Sequence, residues 1–401
     1  MQGQSNKPAS LHLPEALHPL ARFILASPGI QQALGAECQA DGFIAALQRL
    51  VEPHGIAVDA DCLRAVLRPD PLGLGRFAKA PVNIDRWPGP GWLPARSIPT
   101  GAEPAFDWLW FGSGELNAPF FEDEVRRASA LPLNWLLRTR TTLASLIGGH
   151  SQQAGPPLCG LIFHMSRCGS TLLTQMLRST AGTVASSEPE PFDAVLRWIA
   201  AAGPDPADAG AAIRAMLAAL GRRATQFPAR HLVKLEVWHS LFLPELRAAL
   251  PDVPWVYLHR DPVEVLVSQV SQPSMHIVPG ALDEERLGLS GFDAESQIEF
   301  AAKVLGRCLQ GAVEHWHLGK GLATDYREIR AGAAASAAAH FGIALDQSDT
   351  AAMAHAARRD AKVPDQVFSS DSNRKQAEAT PAIRAAAEQF IVPYYMTMTD
   401  N

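Results

Sequence analysis

The segment at 160–173, Gly-Leu-Ile-Phe-His-Met-Ser-Arg-Cys-Gly-Ser-Thr-Leu-Leu, constrains the fold of this chain more than any other. Its apolar start is typical of a strand buried in a parallel sheet. A small polar loop with one glycine follows, and Leu172, Leu173, Met176 and Leu177 then recur at helical spacing. A strand, a tight loop and a helix in this order direct backbone N–H groups and a helix N-terminus at one point. The segment therefore predicts an anion-binding loop, with an ordinary strand–turn–helix corner as the alternative.

Beyond residue 158, short apolar runs alternate with helical patterns, which indicates an α/β sheet with crossover helices. Further strands are predicted at 183–186, 231–235 and 255–259. In such sheets, ligands bind beyond the carboxyl ends of the strands. The charged residues at or just past the predicted strand ends are Arg167, Glu188, Glu190, Lys234 and Arg260.

A second anion site is predicted by the run His-Arg-Asp-Pro-Val-Glu-Val-Leu-Val-Ser at 259–268. Asp261 can cap a helix, a proline suits its first turn, and Glu264 has the spacing of a capping box. Arg260 then stands immediately before the helix and Ser268 two turns along it. A guanidinium and a hydroxyl so placed are phosphate ligands. A surface arginine and an unrelated helix-face serine are the alternative.

Composition excludes several classes of protein. A net charge of -6 in 401 residues argues against a general nucleic-acid binder, since phosphate contacts need a basic excess. The five cysteines form no C-x-x-C pair or metal-like cluster, so we expect no metal and a reducing, cytoplasmic location. The N-terminus has no signal-peptide pattern, and no apolar run is long enough to span a membrane.

The length allows two domains. We predict a mainly helical N-terminal domain over 1–150, with an irregular Trp- and Pro-rich segment at 70–105, and an α/β domain over 158–401. A Gly-, Ser- and Pro-containing linker at 148–157 separates them. The aromatic-rich segment 106–121 is either core or part of a substrate pocket, and 271–292 is a second pocket candidate.

The loop Arg167, Cys168, Gly169, Ser170, Thr171 resembles the 5′-phosphosulfate loop of the sulfotransferase family, in which Lys or Arg, a small residue and Gly precede two hydroxyl residues. It is not a Walker A loop, because no lysine precedes the hydroxyls. Arg260 and Ser268 resemble the family's 3′-phosphate site in their spacing. The resemblance covers about 158–396. It implies a parallel sheet flanked by helices, in a P-loop-like fold, and 3′-phosphoadenosine 5′-phosphosulfate (PAPS) as the sulfuryl donor.

The resemblance also implies residue roles. Arg167 and the backbone of 168–171 would hold the phosphosulfate, and Arg167 with Lys234 would neutralise the leaving group. Arg374 and Lys375 stand where relatives place a last loop over the nucleotide, although the Arg-Lys-Gly form of that loop is absent. A solvated charged turn is the alternative there.

The acceptor needs a general base. Family members use a Glu after the second strand or a His, so the candidates are Glu188, which we favour, and Glu190. The competing histidines are His164, His231, His239 and His259. Cys168 would have a lowered pKa if it lay at a helix N-terminus, but we interpret it as the small residue of the loop.

The sequence thus predicts a sulfotransferase whose acceptor carries a hydroxyl or amine, in a small molecule, saccharide, lipid or peptide. One alternative is a P-loop-type small-molecule kinase. Another is a non-catalytic nucleotide- or peptide-binding protein, which is suggested by the helical stretch at 12–68 because that stretch is similar to the leader-type modules called Nif11-like.

Overall fold

The computed structural model describes residues 13–69, 74–77, 82–112, 116–150, 155–223, 230–286, 288, 296–361 and 371–400. The chain divides into two compact units. The first comprises Met1–Glu115, Glu122–Ala154 and Arg222–Gln226, and the second comprises Leu116–Phe121, Gly155–Gly221 and Phe227–Asn401. Part of the predicted linker, 151–154, lies outside the described residues. The boundary between the two predicted domains, 1–150 and 158–401, stays a prediction.

The first unit combines helices with a four-stranded mixed sheet. The helices are α1 (His18–Leu25), α2 (Pro28–Leu34), α3 (Ala40–Val51), α4 (Ala60–Val66), α5 (Phe121–Ala128), α6 (Pro132–Leu136) and α7 (Leu143–His150). The strands are β1 (Val82–Asn83), β2 (Trp92–Pro99), β3 (Pro104–Trp110) and β4 (Thr139–Thr142), in the order β1-β4-β3-β2. β3 is antiparallel to both neighbours, and β1 is parallel to β4.

The hairpin of β2 and β3 differs from the irregular backbone expected over 70–105. Trp92 and Trp108 are fully buried, and Trp92 is paired with Trp110 across the hairpin. Aromatic side chains pack well on a pleated, half-buried surface, so this burial outweighs the proline and glycine content of the segment. The aromatic residues up to Trp110 are therefore strand core, whereas Phe120 belongs to the second unit.

The second unit is built on a fully parallel five-stranded sheet, which confirms the predicted α/β class. Its strands are β5 (Leu158–His164), β6 (Thr183–Ser187), β7 (Arg230–Lys234), β8 (Trp255–His259) and β9 (Gly321–Asp325), in the order β6-β7-β5-β8-β9. Its helices are α8 (Ser170–Arg178), α9 (Glu190–Ala202), α10 (Pro206–Gly221), α11 (Leu243–Ala249), α12 (Pro262–Ser271), α13 (Gln297–Glu314), α14 (Ala333–His340), α15 (Gln347–Ala357), α16 (Ser372–Glu378), α17 (Pro381–Phe390) and α18 (Val392–Thr399).

Register aligns the carboxyl ends of the central strands. Ile162 of β5 lies opposite Lys234 of β7 and Val256 of β8. Phe163 and Trp255 are almost completely buried and meet edge to face at 5.6 Å. Burying such a side chain contributes about 1.5–3 kcal/mol, so this apolar centre fixes the strands and the loops that follow them. None of the described helices has the length and apolarity that crossing a bilayer requires.

Candidate functional site

The loop between β5 and α8 has a strained backbone. Ser166, Arg167 and Gly169 all have positive φ, at 69°, 49° and 85°. Non-glycine residues in this region are uncommon and tend to occur where surrounding structure imposes a functional geometry. Gly169 is also the N-cap of α8 and makes no side-chain cap. The first N–H groups of α8 are therefore left without a side-chain acceptor at the cap, and with the helix dipole they favour an anion.

Gly169 is required by its surroundings as well as by its backbone. A Cβ at this position would lie 2.7 Å from Cδ2 of Tyr326 and 2.9 Å from Cδ1 of Ile329. We expect Gly169→Ala to lower the free energy of unfolding by about 1–3 kcal/mol and to displace the loop. Gly203→Ala is the matched control, because Gly203 has φ 55° but a Cβ added there would have no heavy atom of the described chain within 4 Å. Equal denaturant midpoints for the two variants would contradict the crowding at Gly169.

Arg167 carries a buried donor for which the described part of the chain offers no acceptor. Its Nη2 donates to the backbone oxygen of Gln272 at 2.7 Å. Its Nε is buried, and no acceptor within the described chain is in hydrogen-bonding range of it. Burial lowers the pKa of Arg167, against the opposing effect of the Glu188 charge. A buried donor of this kind costs free energy unless a ligand satisfies it, so it fits an anion at the loop.

Glu188 and Lys234 form a buried ion pair at the ends of β6 and β7. Nζ of Lys234 lies 2.7 Å from Oε1 of Glu188 and 3.3 Å from Oγ1 of Thr171. Lys234 is fully buried and lies under the ring of Phe120, 4.6 Å from its centroid. Glu188 has a positive φ of 54°. Lys234 therefore connects the ends of β6 and β7 to the first turn of α8.

The protonation states around Glu188 follow from its neighbours. Burial alone would raise the pKa of Glu188, but the charge of Lys234 and the nearby His164 hold it well below its usual range. His164 Nδ1 accepts from the N–H of Ser166, so the proton is on Nε2, which donates to the backbone oxygen of Leu235 at 2.9 Å. Burial lowers the pKa of His164. Glu188 is therefore ionised, and the neighbouring His164 is neutral.

Arg260 is held by carboxylates at the second predicted anion site. Its guanidinium lies 2.6 Å from Oε2 of Glu264 and 2.7 Å from Oδ1 of Asp371, and it stacks on Tyr326 at 4.1 Å. Its Nη1 also donates to the backbone oxygen of Arg167 at 3.3 Å. Asp261 caps α12 as predicted, but the Glu264 side chain bonds to Arg260. An anion is thus already present at Arg260, in the form of two protein carboxylates.

The remaining candidates for this second site, Ser268, Arg374 and Lys375, make hydrogen bonds or ion pairs within the protein. Oγ of Ser268 donates to the backbone oxygen of Glu264. Nζ of Lys375 lies 2.8 Å from Oδ2 of Asp371, and Arg374 pairs with Glu378 at the same distance. Burial is the largest influence on the pKa of Lys375 and lowers it. Part of the predicted last loop, 368–370, lies outside the described residues.

The second unit contains a cavity of about 510 Å³ at the carboxyl ends of its strands. The predicted site residues that line it are Arg167, Gly169, Ser170, Thr171, Glu188, Arg260, Ser268, Arg374 and Lys375. Three others do not line it: Cys168, Glu190 and Lys234. Lys234 contacts three residues that do line it, Glu188, Thr171 and Phe120. Glu190 begins α9 instead.

Cys168 is a packing residue of the loop. It is completely buried, and its Sγ contacts the backbone oxygen of Leu258 at 3.3 Å. Burial raises the pKa of the Cys168 thiol to about 12. A thiol in this state is a poor nucleophile.

Glu236 lines the cavity and was not anticipated from the sequence. It caps the short 3₁₀ helix Val237–Phe242, and its N–H donates to Nδ1 of His239 at 3.2 Å. Nε2 of His239 then donates to Asp193 at 2.9 Å. Burial, together with the charges of Glu188 and Asp193, raises the pKa of Glu236 well above its usual range. Its position two residues after Lys234, at the end of β7, was the available sequence signal.

Within the described residues, no group of three or more His, Cys, Asp or Glu side chains could hold a metal ion. The candidate site consists of guanidinium, ammonium, hydroxyl and backbone N–H donors, with Glu188 and Glu236 beside them. This set of donors can bind phosphate or sulfate groups through charge-assisted hydrogen bonds.

No family model and no curated protein matches the sequence. Among solved structures, the chain is similar to a sulfotransferase domain from the curacin biosynthetic pathway, at 13% identity and a TM-score of 0.36, over 59% of this chain and 98% of that one. It is also similar to the sulfotransferase domain of the Synechococcus PCC 7002 olefin synthase, at 13% identity and a TM-score of 0.35, over 62% of this chain and 95% of that one. A third similar structure is mouse sulfotransferase SULT7A1 complexed with PAP, at 14% identity and a TM-score of 0.32, over 61% of this chain and 93% of that one.

Proposed function

We propose that the cavity of the second unit binds PAPS and transfers its sulfuryl group to an acceptor hydroxyl or amine. The observation that carries the proposal is that Arg167 and Arg260, at the ends of neighbouring strands β5 and β8, line the same cavity. A nucleotide with anionic groups at its 5′ and 3′ positions can contact both. The loop resemblance supplies the identity of the nucleotide.

Arg167 and the start of α8 would bind the 5′-phosphosulfate. The buried Nε of Arg167 has no protein acceptor in the described chain, and the α8 N-terminus has no side-chain cap. Ser170 and Thr171 line the cavity and add hydroxyl donors. Arg260, Ser268, Arg374 and Lys375 would bind the 3′-phosphate, which would compete with Asp371 for Arg260.

Sulfuryl transfer resembles phosphoryl transfer, in which catalysis is mainly positioning and electrostatic stabilisation. Arg167 would offset the charge that develops on the leaving phosphate oxygen. Lys234, which contacts Glu188 and Thr171, would add a second positive charge near these lining residues. Charges fixed in a site that excludes water stabilise a transition state more strongly than they would in water.

Glu188 is the general base that we propose for the acceptor hydroxyl. It lines the cavity and its low pKa keeps it ionised, although its ion pair with Lys234 reduces its basicity. Glu236 is the competing base, since it lines the same cavity and its pKa is raised. The two assignments differ in the pH dependence that they predict.

Turnover with labelled PAPS separates these bases. We expect Glu188→Gln to lower kcat by about 10²–10⁴-fold, while the calorimetric affinity for adenosine 3′,5′-bisphosphate (PAP) changes little. Glu236→Gln is the matched control and should retain turnover. Because the Glu188 pKa is lowered, kcat should stay constant as the pH falls from about 8 to about 5. Loss of turnover in Glu236→Gln, with a kcat that falls as the pH decreases over this range, would instead assign the base to Glu236, whose pKa is raised.

A further inference from the structure

The side chain of Gln269, on α12, is completely buried and makes three hydrogen bonds. Its Nε2 donates to Oγ of Ser166 at 2.7 Å and lies 3.2 Å from Nε2 of His276. Its Oε1 accepts from the backbone N–H of Ser274 at 3.0 Å. These three partners line the cavity, whereas Gln269 itself does not. Any influence of Gln269 on a ligand in the cavity is therefore exerted through residues that line it.

The orientation of the Gln269 amide is determined by its partners. A backbone N–H can only donate, so the amide atom that faces Ser274 is the carbonyl oxygen. The amide nitrogen then has two N–H groups, one for Ser166 and one for His276. Burial lowers the pKa of His276 to about 3, so its imidazole is neutral at neutral pH and its Nε2 can accept. Both donors and the acceptor of this buried amide are thus satisfied, which offsets the cost of burying it.

Ser166 belongs to the strained part of the loop between β5 and α8. It has φ 69°, and the next residue, Arg167, has φ 49°. Holding consecutive non-glycine residues in the left-handed region costs free energy that surrounding contacts must offset. Ser166 is held at two atoms, because its N–H donates to Nδ1 of His164 at 3.1 Å and its Oγ accepts from Gln269. Gln269 therefore supplies one of the contacts that keep this backbone conformation.

The chain that follows α12 contacts the loop at a second point. α12 ends at Ser271, and the backbone oxygen of Gln272 accepts from Nη2 of Arg167 at 2.7 Å. Gln269 accepts from the N–H of Ser274, two residues further along, so it also holds the segment that presents this oxygen. The Gln269 amide thus acts on Arg167 from two sides, through Ser166 and through the segment 272–274.

We propose that Gln269 is a positioning residue for the loop, holding Ser166 and the segment 272–274 so that Arg167 and the first N–H groups of α8 face the 5′-phosphosulfate. This inference rests on the proposed function, in which those groups bind the 5′ end of the nucleotide. Arg260 is held separately, by Glu264, Asp371 and Tyr326. Gln269 therefore serves the 5′ site, although it lies on the helix that begins just after Arg260.

Gln269→Met tests this role, because methionine is similarly long and unbranched but cannot make these hydrogen bonds. Calorimetry on the full chain should show PAP and adenosine 5′-monophosphate each binding at least about tenfold more weakly. Adenosine 3′-monophosphate should stay within about twofold, because it has no 5′-phosphate to place at the loop. Unchanged affinity for PAP, or equal weakening of all three nucleotides, would overturn the proposal.

Gln31→Met is the matched control. Gln31 is almost completely buried in the first unit and does not line the cavity. Its Nε2 donates to the backbone oxygens of Ile24 and Leu25, and its Oε1 accepts from Nε1 of Trp92. The substitution should lower the denaturant midpoint and leave the affinity for all three nucleotides unchanged. A loss of PAP affinity as large as that in Gln269→Met would assign the effect to lost stability and overturn the positioning role.

Hydrogen exchange of the ligand-free chain distinguishes a failure of this inference from a failure of the proposed function. The amide of Ser166, which is bonded to His164, and the amide of Ser274, which is bonded to Gln269, should exchange at least about tenfold faster in Gln269→Met. If the unchanged chain binds none of the nucleotides, the proposed function is wrong, and faster exchange would still establish that Gln269 holds the loop. If the unchanged chain binds PAP but exchange at Ser166 is the same in Gln269→Met, the proposed function stands and the positioning role is wrong.

Discussion

Arg260→Ala should weaken PAP binding by about 100-fold or more. Hydrogen bonds to charged groups contribute about 1.5–3 kcal/mol each, and the planar guanidinium can supply two of them to a phosphate. Arg260 is almost completely buried and stacked on Tyr326, so its orientation is fixed before the ligand arrives. The measurement is calorimetric titration with PAP. Arg260→Lys, which keeps the charge but not the planar fork, should give an intermediate affinity.

Two further variants control this result. Arg327→Ala removes an exposed arginine that pairs with Asp325 and does not line the cavity, so PAP affinity should be unchanged. Asp371→Asn removes a carboxylate that competes for Arg260, so PAP affinity should rise. Unchanged affinity in Arg260→Ala, or weaker binding in Asp371→Asn, would mean that the nucleotide does not replace Asp371 at this arginine.

Lys234→Met should lower the free energy of unfolding by about 3–5 kcal/mol, because it leaves the Glu188 carboxylate buried without its partner. The double variant Glu188→Gln with Lys234→Met removes both charges and should recover most of this loss. Chemical denaturation of the two variants and of the unchanged chain measures the difference. A double variant as unstable as Lys234→Met would show that the lysine stabilises the fold by something other than this pair.

The pH dependence of stability provides a second test of the ion pair between Glu188 and Lys234. The pKa of Glu188 is lowered in the folded state, so the stabilisation from its ionised form is present above the unfolded-state pKa of about 4.3. It is lost as the pH falls through the lower folded-state pKa. The unchanged chain should therefore lose this contribution only in acid. In Lys234→Met, burial raises the pKa of Glu188 with no lysine to oppose it, so the stability difference between the two chains should begin to shrink at a higher pH.

The positions of the central strands could be predicted because their signals are local. β8 has the predicted bounds, Trp255–His259, since a short apolar run determines a buried strand. β7 ends one residue earlier than predicted, at Lys234. β9, Gly321–Asp325, was not predicted, because its sequence lacks a continuous apolar run. Once the strands were assigned, the placement of Arg167, Glu188 and Arg260 beyond their ends followed from parallel-sheet geometry.

The contacts within the site could not be predicted, because they join distant parts of the chain. Arg260 pairs with Asp371, which is 111 positions further along the chain. Glu264 has the spacing of a capping box, yet its carboxylate bonds to Arg260. Glu236 acquires its raised pKa from burial and from Glu188 and Asp193, neither of which is near it in sequence. Tertiary packing decides these pairings.

The central claim is that one cavity holds two anion sites for the two ends of a single nucleotide. The most direct measurement compares, by calorimetry, the affinity of the chain for PAP with its affinity for adenosine 5′-monophosphate, which lacks the 3′-phosphate. We predict that PAP binds at least about 100-fold more tightly, because only PAP reaches Arg260 while its 5′-phosphate contacts Arg167. Equal affinities for the two nucleotides would contradict the account.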